Sequence, residues 1–194
     1  DDHAALIDLI RLARTDGIGP KTFRTLLERF GHPSEVVTHQ GEWNRRGAAI
    51  ASIASAEAEF ASAKKLGFGY VIWSDPSNPE PLRAIEDAPP VLVVKGDPAV
   101  LATPMLAIVG ARNASLNGRK IAKQMAADLA AAGYTIISGM ARGIDGAAHE
   151  GALAAGGETV AVLAGGTDVI YPPEHRDLYE RIAASGAVIS EMPP

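Results

Sequence analysis

Between residues 107 and 145 the chain reads AIVGARNASLNGRKIAKQMAADLAAAGYTIISGMARGID. An apolar strand runs into a turn with Gly110 and Arg112, then a helix, a second apolar strand, and a turn with Ser138, Gly139 and Gly143. Two strands separated by a helix of this length predict a parallel pair, because a tight hairpin cannot join parallel strands. Both turns fall where a strand hands over to a helix, the places in an α/β protein where backbone N–H groups and small residues receive an anion.

The same texture continues downstream. Apolar strands are predicted to begin near Met105, Tyr134, Thr159 and Ala187, with helices over 116–132, 144–155 and 174–184. Near-continuous runs of Ile, Val, Leu and Ala fit strands buried on both faces of a parallel sheet. Strand alternating with helix predicts an α/β fold with a doubly wound, mainly parallel Rossmann-like sheet. In the first of these helices Ile121, Met125 and Leu129 recur every fourth residue, an apolar stripe expected to lie on the sheet.

Upstream the pattern changes. Residues 4–14 and 22–30 each place apolar residues on one helical face, and Asp16-Gly17-Ile18-Gly19-Pro20 lies between them. Two short helices joined by a Gly-x-Gly turn, with proline opening the second, have the signature of a helix-hairpin-helix. Its glycine N–H groups can touch phosphate, and the competing reading is a structural hairpin that buries Ile18. From Ser34 to Leu66 the pattern stays helical and alanine-rich, with Gly67 as a C-cap. Residues 70–73 and 91–94 read as strands around an irregular, proline- and acid-rich stretch over 75–90. The expected organisation is a small all-helical module, residues 1–67, followed by the sheet domain, residues 68–194.

Net charge is −5 with no cysteine. The charge argues against a broadly basic nucleic-acid binder and leaves room for a small focused site. The absence of cysteine removes disulfides and thiolate chemistry, and no apolar run approaches the roughly 18 residues of a membrane span. The reading is a cytoplasmic protein without membrane contact.

Parallel strands point their C-terminal ends the same way, so the turns after them share one rim. Three turns there stand out: 110–115, 138–143 and 164–168. Gly110, Gly139 and Gly143 let a ligand approach the backbone, Ser115 and Ser138 donate, and Arg112 can clamp a phosphate with Arg142 as a second cation. The alternative for Arg112 is an ion pair with a carboxylate such as Asp145, and Ser115 also suits the N-cap of its helix. Asp145 and His149, one turn apart, read as a structural pair supporting the pocket, and Gly166 shapes the third turn. Asp145, Asp168 and Glu191 could supply a base at the rim, but nothing singles one out. No complete P-loop, G-x-S-x-G or HExxH is present, and the five histidines are scattered. No catalytic residue, metal site or cofactor is assigned; the ligand expected is the phosphate backbone of single-stranded DNA.

Four segments carry a family resemblance: GARNASLNG at 110–118, SGMARGIDGAAH at 138–149, AVLAGGTDVIYP at 161–172 and ISEMP at 189–193. In this order and spacing they resemble the DNA-processing protein A (DprA/Smf) family, and the Gly-Ile-Gly-Pro hairpin resembles that family's SAM-like leader. The resemblance implies a bacterial protein of natural transformation, or competence, and of DNA recombination. It implies binding of incoming single-stranded DNA, loading of the RecA recombinase, a homodimer through the Rossmann-like domain, and no enzymatic activity. It places phosphate contacts on Gly110, Arg112, Ser138 and Gly139, with Ser115 beside them. Asn117 and His175 depart from the family's usual aromatic and asparagine. The family's sheet continues past the position of Pro194, with further basic residues and an aromatic that complete the pocket and dimer surface, so the sheet domain is expected to be incomplete here. The rival reading is a nucleotide phosphoribohydrolase, whose Pro-Gly-Gly-x-Gly-Thr-x-x-Glu motif the 164–168 turn only partly matches: Ala164 replaces the proline and the catalytic glutamate is missing.

Overall fold

The computed structural model describes residues 2–45 and 47–194. The chain opens with helices α1 (Asp2–Ala13), α2 (Pro20–Phe30), α3 (Pro33–Thr38), α4 (Gln40–Trp43) and α5 (Ile53–Lys65). Helix α1 buries Ile7, Leu9, Ile10 and Leu12. In the turn before α2, Gly17 takes a positive φ of 83°, which tips Ile18 inward against Leu9, Leu12, Phe23, Leu26 and Val36. The hairpin therefore buries Ile18, as its structural reading requires.

The single helical run expected over 34–66 is interrupted. Between Trp43 and Ile53 the Asn44 side chain closes a local loop, donating to the Ala48 carbonyl (2.6 Å) and accepting its N–H (3.1 Å). Side chains of this kind compete with helix for the backbone. The Ala51 backbone is satisfied from the hairpin instead, by Thr15 Oγ1 (3.0 Å) and Arg11 Nε (2.8 Å). Ser52 then caps α5, its hydroxyl accepting from the Ser55 N–H. The expected helix at Arg46 and the expected helical module at Asp1 fall outside the described residues.

The sheet contains β1 (Gly69–Ile72), β2 (Val91–Gly96), β3 (Met105–Ala107), β4 (Thr135–Ser138), β5 (Thr159–Leu163) and β6 (Ala187–Ser190) in the order β1-β2-β6-β5-β4-β3. Strands β3 to β6 pair in parallel, while β2 joins β6 and β1 joins β2 in antiparallel fashion. This is the α/β Rossmann-like arrangement expected, with an antiparallel margin. One-turn α6 (Glu80–Arg83) lies in the proline-rich connection, and a 3-10 turn, Pro98–Ala102, precedes β3. Helices α7 (Leu116–Ala131), α8 (Ile144–Ala154) and α9 (Arg176–Ser185) follow β3, β4 and β5; a 3-10 turn, Pro173–His175, takes the place of the first turn expected for the last helix.

Because strand side chains alternate, Ile136, Ala161 and Val188 face the helices, while Met105, Ile137, Val160 and Ile189 face the Pro98–Ala102 turn and Leu82. The helical leader packs against the antiparallel margin, with Ile72 on its apolar cluster and Arg14 donating to the Glu191 carbonyl (3.1 Å).

Helix α7 turns the other way from the expectation. Ile121 and Met125 are 62% and 51% exposed, whereas Ala122 and Ala126 are buried. The cause lies in α8: a Cβ added at Gly151 would strike the Lys123 carbonyl and come within 3.0 Å of Ala126. Only small residues fit where two helix backbones approach this closely, so the alanine face of α7 meets α8; Ile121 and Met125 are left outside, while Leu129, half-buried, packs beside Ala126 and Ile136. Leu106 of β3, the outer strand of the sheet, is exposed too.

Candidate nucleic-acid interface

The first two glycine turns interlock at the C-terminal rim. Gly143 has φ +80°, and a Cβ there would collide with the carbonyl oxygens of Ala111 and Arg112. A Cβ on Gly110 would run into the Ile144 side chain at 2.7 Å, and the Ile144 N–H donates to the Ala111 carbonyl at 3.3 Å. Both glycines are therefore required by close approach. The 110–115 turn is clamped onto the start of α8, and Arg112 stands on a fixed backbone.

Asp145, in the first turn of α8, ties the same turns together. Its Oδ1 accepts the Gly110 N–H at 3.4 Å and its Oδ2 accepts the Gly139 N–H at 3.1 Å. The carboxylate is only 7% exposed. Glycine N–H groups beside a helix N-terminus favour an anion, and here the chain supplies one. The N–H groups of Gly110 and Gly139 thus hold the site together instead of facing solvent. Ser138 is likewise turned inward, its hydroxyl donating to the Ile108 carbonyl at 2.6 Å.

Of the two arginines, Arg112 is exposed and has no hydrogen-bond or ion-pair partner among the described residues. Arg142 is held by Glu174 in a two-pronged ion pair, the second contact being 3.1 Å, and lies over the Tyr171 ring. That pairing removes it from the free cations of the rim. Ser115 caps α7, its Oγ accepting the Gly118 N–H at 3.0 Å, and its own hydrogen stays available to a ligand.

The expected contact between Asp145 and His149 is replaced by separate partners. His149 is fully buried and its Nδ1 lies 2.7 Å from Thr159 Oγ1. Thr159 donates its proton to the Ile136 carbonyl (2.7 Å), so Nδ1 carries the imidazole hydrogen and donates to Thr159. Nε2 has no partner. Burial, reinforced by the neighbouring His175 imidazole, pushes the His149 pKa down to about 3.

His175, which sequence reasoning does not place at the rim, donates from Nδ1 to the Met140 carbonyl at 2.9 Å and lies against Gly146. It steadies a turn in which Met140 adopts φ +59° with its side chain buried among Leu163, Tyr179 and Ile182. A non-glycine residue in that region costs about 1–3 kcal/mol and persists only where packing holds it. No spacing in the sequence links residue 175 to residue 140; only the fold brings them together.

The third turn is tied elsewhere. A Cβ on Gly166 would meet the Pro193 carbonyl at 2.5 Å and Asp168 at 2.6 Å, and Ser190 Oγ donates to the Gly165 carbonyl at 2.6 Å. This turn braces the exit of β6. Among the described residues no three His, Cys, Asp or Glu stand close enough to hold a metal ion, and no helix is long and apolar enough to cross a membrane. An opening of about 840 Å³ lies across the sheet on its other face against Leu82, Leu92, Met105 and Ile137. Its walls are mainly apolar, with Arg83 the one cation among the lining residues, unlike the row of cations beside the glycine turns.

Comparison with known proteins agrees with this architecture. Residues 69–194 match a family described as DNA recombination-mediator protein A, and residues 3–62 match the DprA-like N-terminal HHH domain. The chain is 41% identical to Protein Smf of Synechocystis over 128 residues, which is 64% of this chain and 32% of that protein. An X-ray structure of DNA processing protein A from Streptococcus pneumoniae superposes with a TM-score of 0.75 at 28% identity, covering 94% of this chain and 66% of that one. A structure of DNA processing protein A from Helicobacter pylori, whose subject is that protein's single-stranded DNA binding mode, superposes with a TM-score of 0.58 at 29% identity over 66% of this chain and 56% of its own. The chain therefore spans about a third of the Smf relative and somewhat more than half of the solved ones. With one family model matching the sheet from its first strand to Pro194 and another matching the helical leader, the chain belongs to the DNA recombination-mediator protein A family.

Proposed function

We propose that this chain binds single-stranded DNA through its phosphates at the rim where the 110–115 and 138–143 turns interlock. The observation that carries the reading is Arg112: an exposed guanidinium, unpaired among the described residues, on a backbone fixed by Gly143 and Asp145, beside the available Ser115 hydroxyl. A planar guanidinium grips phosphate through two N–H groups and ignores the base. Gly110, Ser138, Gly139 and Asp145 act as the frame that aims it. Within the full-length protein the bound strand passes to RecA during recombination in the cytoplasm, the protein works as a homodimer through residues 68–194, and no bond is made or broken. Single-strand binding retained after deletion of residues 1–66 would make the helical module, residues 1–67, an auxiliary unit; binding lost would make it a principal contact. The hydrolase alternative lacks its catalytic glutamate, and Asp145 is occupied by two backbone N–H groups.

Arg112→Ala is expected to weaken binding of a single-stranded oligonucleotide by about 1.5–3 kcal/mol, the worth of a hydrogen bond to a charged group. The loss should be similar for different base sequences. The slope of log affinity against log salt should shrink by about 0.7, one phosphate's share in a single strand. Anisotropy titrations with single- and double-stranded oligonucleotides read all of this. Unchanged affinity in the variant would remove Arg112 from the interface and the reading with it.

A further inference from the structure

From residue 98 to residue 127 the chain has no carboxylate and four cations, Arg112, Arg119, Lys120 and Lys123, although the whole chain carries a net charge of −5. The structure lines three of them along one wall of an open groove of about 570 Å³ between α7 and the α8–α9 side. Arg119, Lys120 and Lys123 are exposed, and none has a carboxylate partner among the described residues. The opposite wall is acidic in composition, with Glu150, Glu174 and Asp177. Those carboxylates are already engaged. Arg181 grips Glu150 through two contacts of 2.9 and 3.2 Å and reaches Asp177 at 3.4 Å, and Arg142 holds Glu174. Two arginines thus offset most of the charge of the three carboxylates on one wall, while the other presents bare positive charge.

The floor is formed by Gly143 and Gly146. Gly143 is the residue whose backbone presses on Arg112, so the groove begins at the Arg112 turn. Arg119 and Lys123 are one helical turn apart, about 6 Å along the axis, and project from the same side of α7. A row of cations over a glycine floor, opening at a fixed guanidinium, is suited to a flexible polyanion lying lengthwise.

We propose that single-stranded DNA leaving the Arg112 turn continues along this groove, with Arg119, Lys120 and Lys123 on successive phosphates. This rests on the preceding reading of the rim and extends it from a point contact to a path with a direction, from the N-terminus of α7 toward its middle. Among the lining residues there is no Trp, Tyr or Phe, and the one aromatic ring, His175, is committed through Nδ1 to the Met140 carbonyl, so the groove reads phosphate more than base.

The test compares Lys120→Gln/Lys123→Gln with Arg112→Ala and with Lys64→Gln/Lys65→Gln, an equal charge change on α5 away from the groove. Each is titrated with oligothymidine of about 5 and about 15 nucleotides, bracketing common single-strand site sizes. The groove variant is expected to lose about tenfold on the longer oligonucleotide, with a salt slope smaller by about 1.4. It should match the unmodified protein within about twofold on the shorter one. Arg112→Ala should weaken both lengths, and the α5 pair neither. Loss by Arg112→Ala with no loss by the groove variant overturns the groove and leaves the rim standing. Equal losses from the groove and α5 pairs reduce the effect to net charge and also overturn it. If Arg112→Ala changes nothing at either length, the rim reading fails and the groove as its continuation falls with it.

Discussion

Replacing Asp145 with alanine is expected to destabilise the protein by about 2–4 kcal/mol, near the sum for two backbone donors left without a partner, reduced because Gly110 lies partly in solvent. The reasoning starts from position. Asp145 occupies the first turn of α8, where the helix dipole favours negative charge, and each carboxylate oxygen takes one glycine N–H, from Gly110 and from Gly139. Alanine leaves both donors unmet and leaves the two turns joined only by Gly143 and Ile144. The Asp145→Asn variant retains one acceptor oxygen and turns an amide N–H toward the other donor, so it should recover about half of the loss. Urea unfolding monitored through Trp43 and Trp73 measures both variants. A loss below about 0.5 kcal/mol for the alanine variant would show that the carboxylate is incidental to the frame.

Acid should act through His149. Its imidazole is neutral and enclosed, with the proton on Nδ1 committed to Thr159 and with Nε2 making no hydrogen bond among the described residues. The folded state holds its pKa at about 3, against about 6.5 in an unfolded chain. Between those values the unfolded state binds a proton that the folded state refuses, so stability falls as pH drops through this window and the loss is complete below it. The slope from this residue approaches about 1.4 kcal/mol per pH unit. His149→Asn keeps a donor for Thr159 without the titration, and its stability curve between about pH 4 and pH 6 should be flatter by that amount. Parallel curves for the two proteins would contradict this account of His149.

Much of the core is legible in the sequence because parallel strands announce themselves by composition. The starts at Met105, Thr159 and Ala187 follow from runs of apolar residues, and the glycine turns from where those runs stop. What escapes are facts of pairing. The stripe Ile121, Met125 and Leu129 has helical period and should by hydrophobicity face inward, yet only Leu129 packs on the core, because Gly151 brings α8 so near that Ala122 and Ala126 displace Ile121 and Met125. Periodicity measures which residues share a side, not which neighbour that side can accommodate. Arg142 reads as a free cation until the fold delivers Glu174, 32 residues further on. Gly110 and Gly139 group by their turns, but that their N–H groups converge on Asp145 depends on the angle at which α8 leaves Gly143. The break after Trp43 is hidden by the alanine-rich run beyond it, since the Asn44 loop competes locally with a helix that composition favours.

The central claim is that the interlocked turns at the end of the sheet hold the sugar-phosphate chain. Backbone amide spectra of the nitrogen-labelled chain, recorded while oligothymidine is added, test it most directly. The account predicts that the largest shifts fall on Ala111, Arg112, Asn113 and Gly143, extend to Arg119 and Lys123, and diminish as salt rises. Shifts confined to the Gly17–Ile18–Gly19 hairpin, with residues 110–123 and 138–146 unmoved, would contradict it.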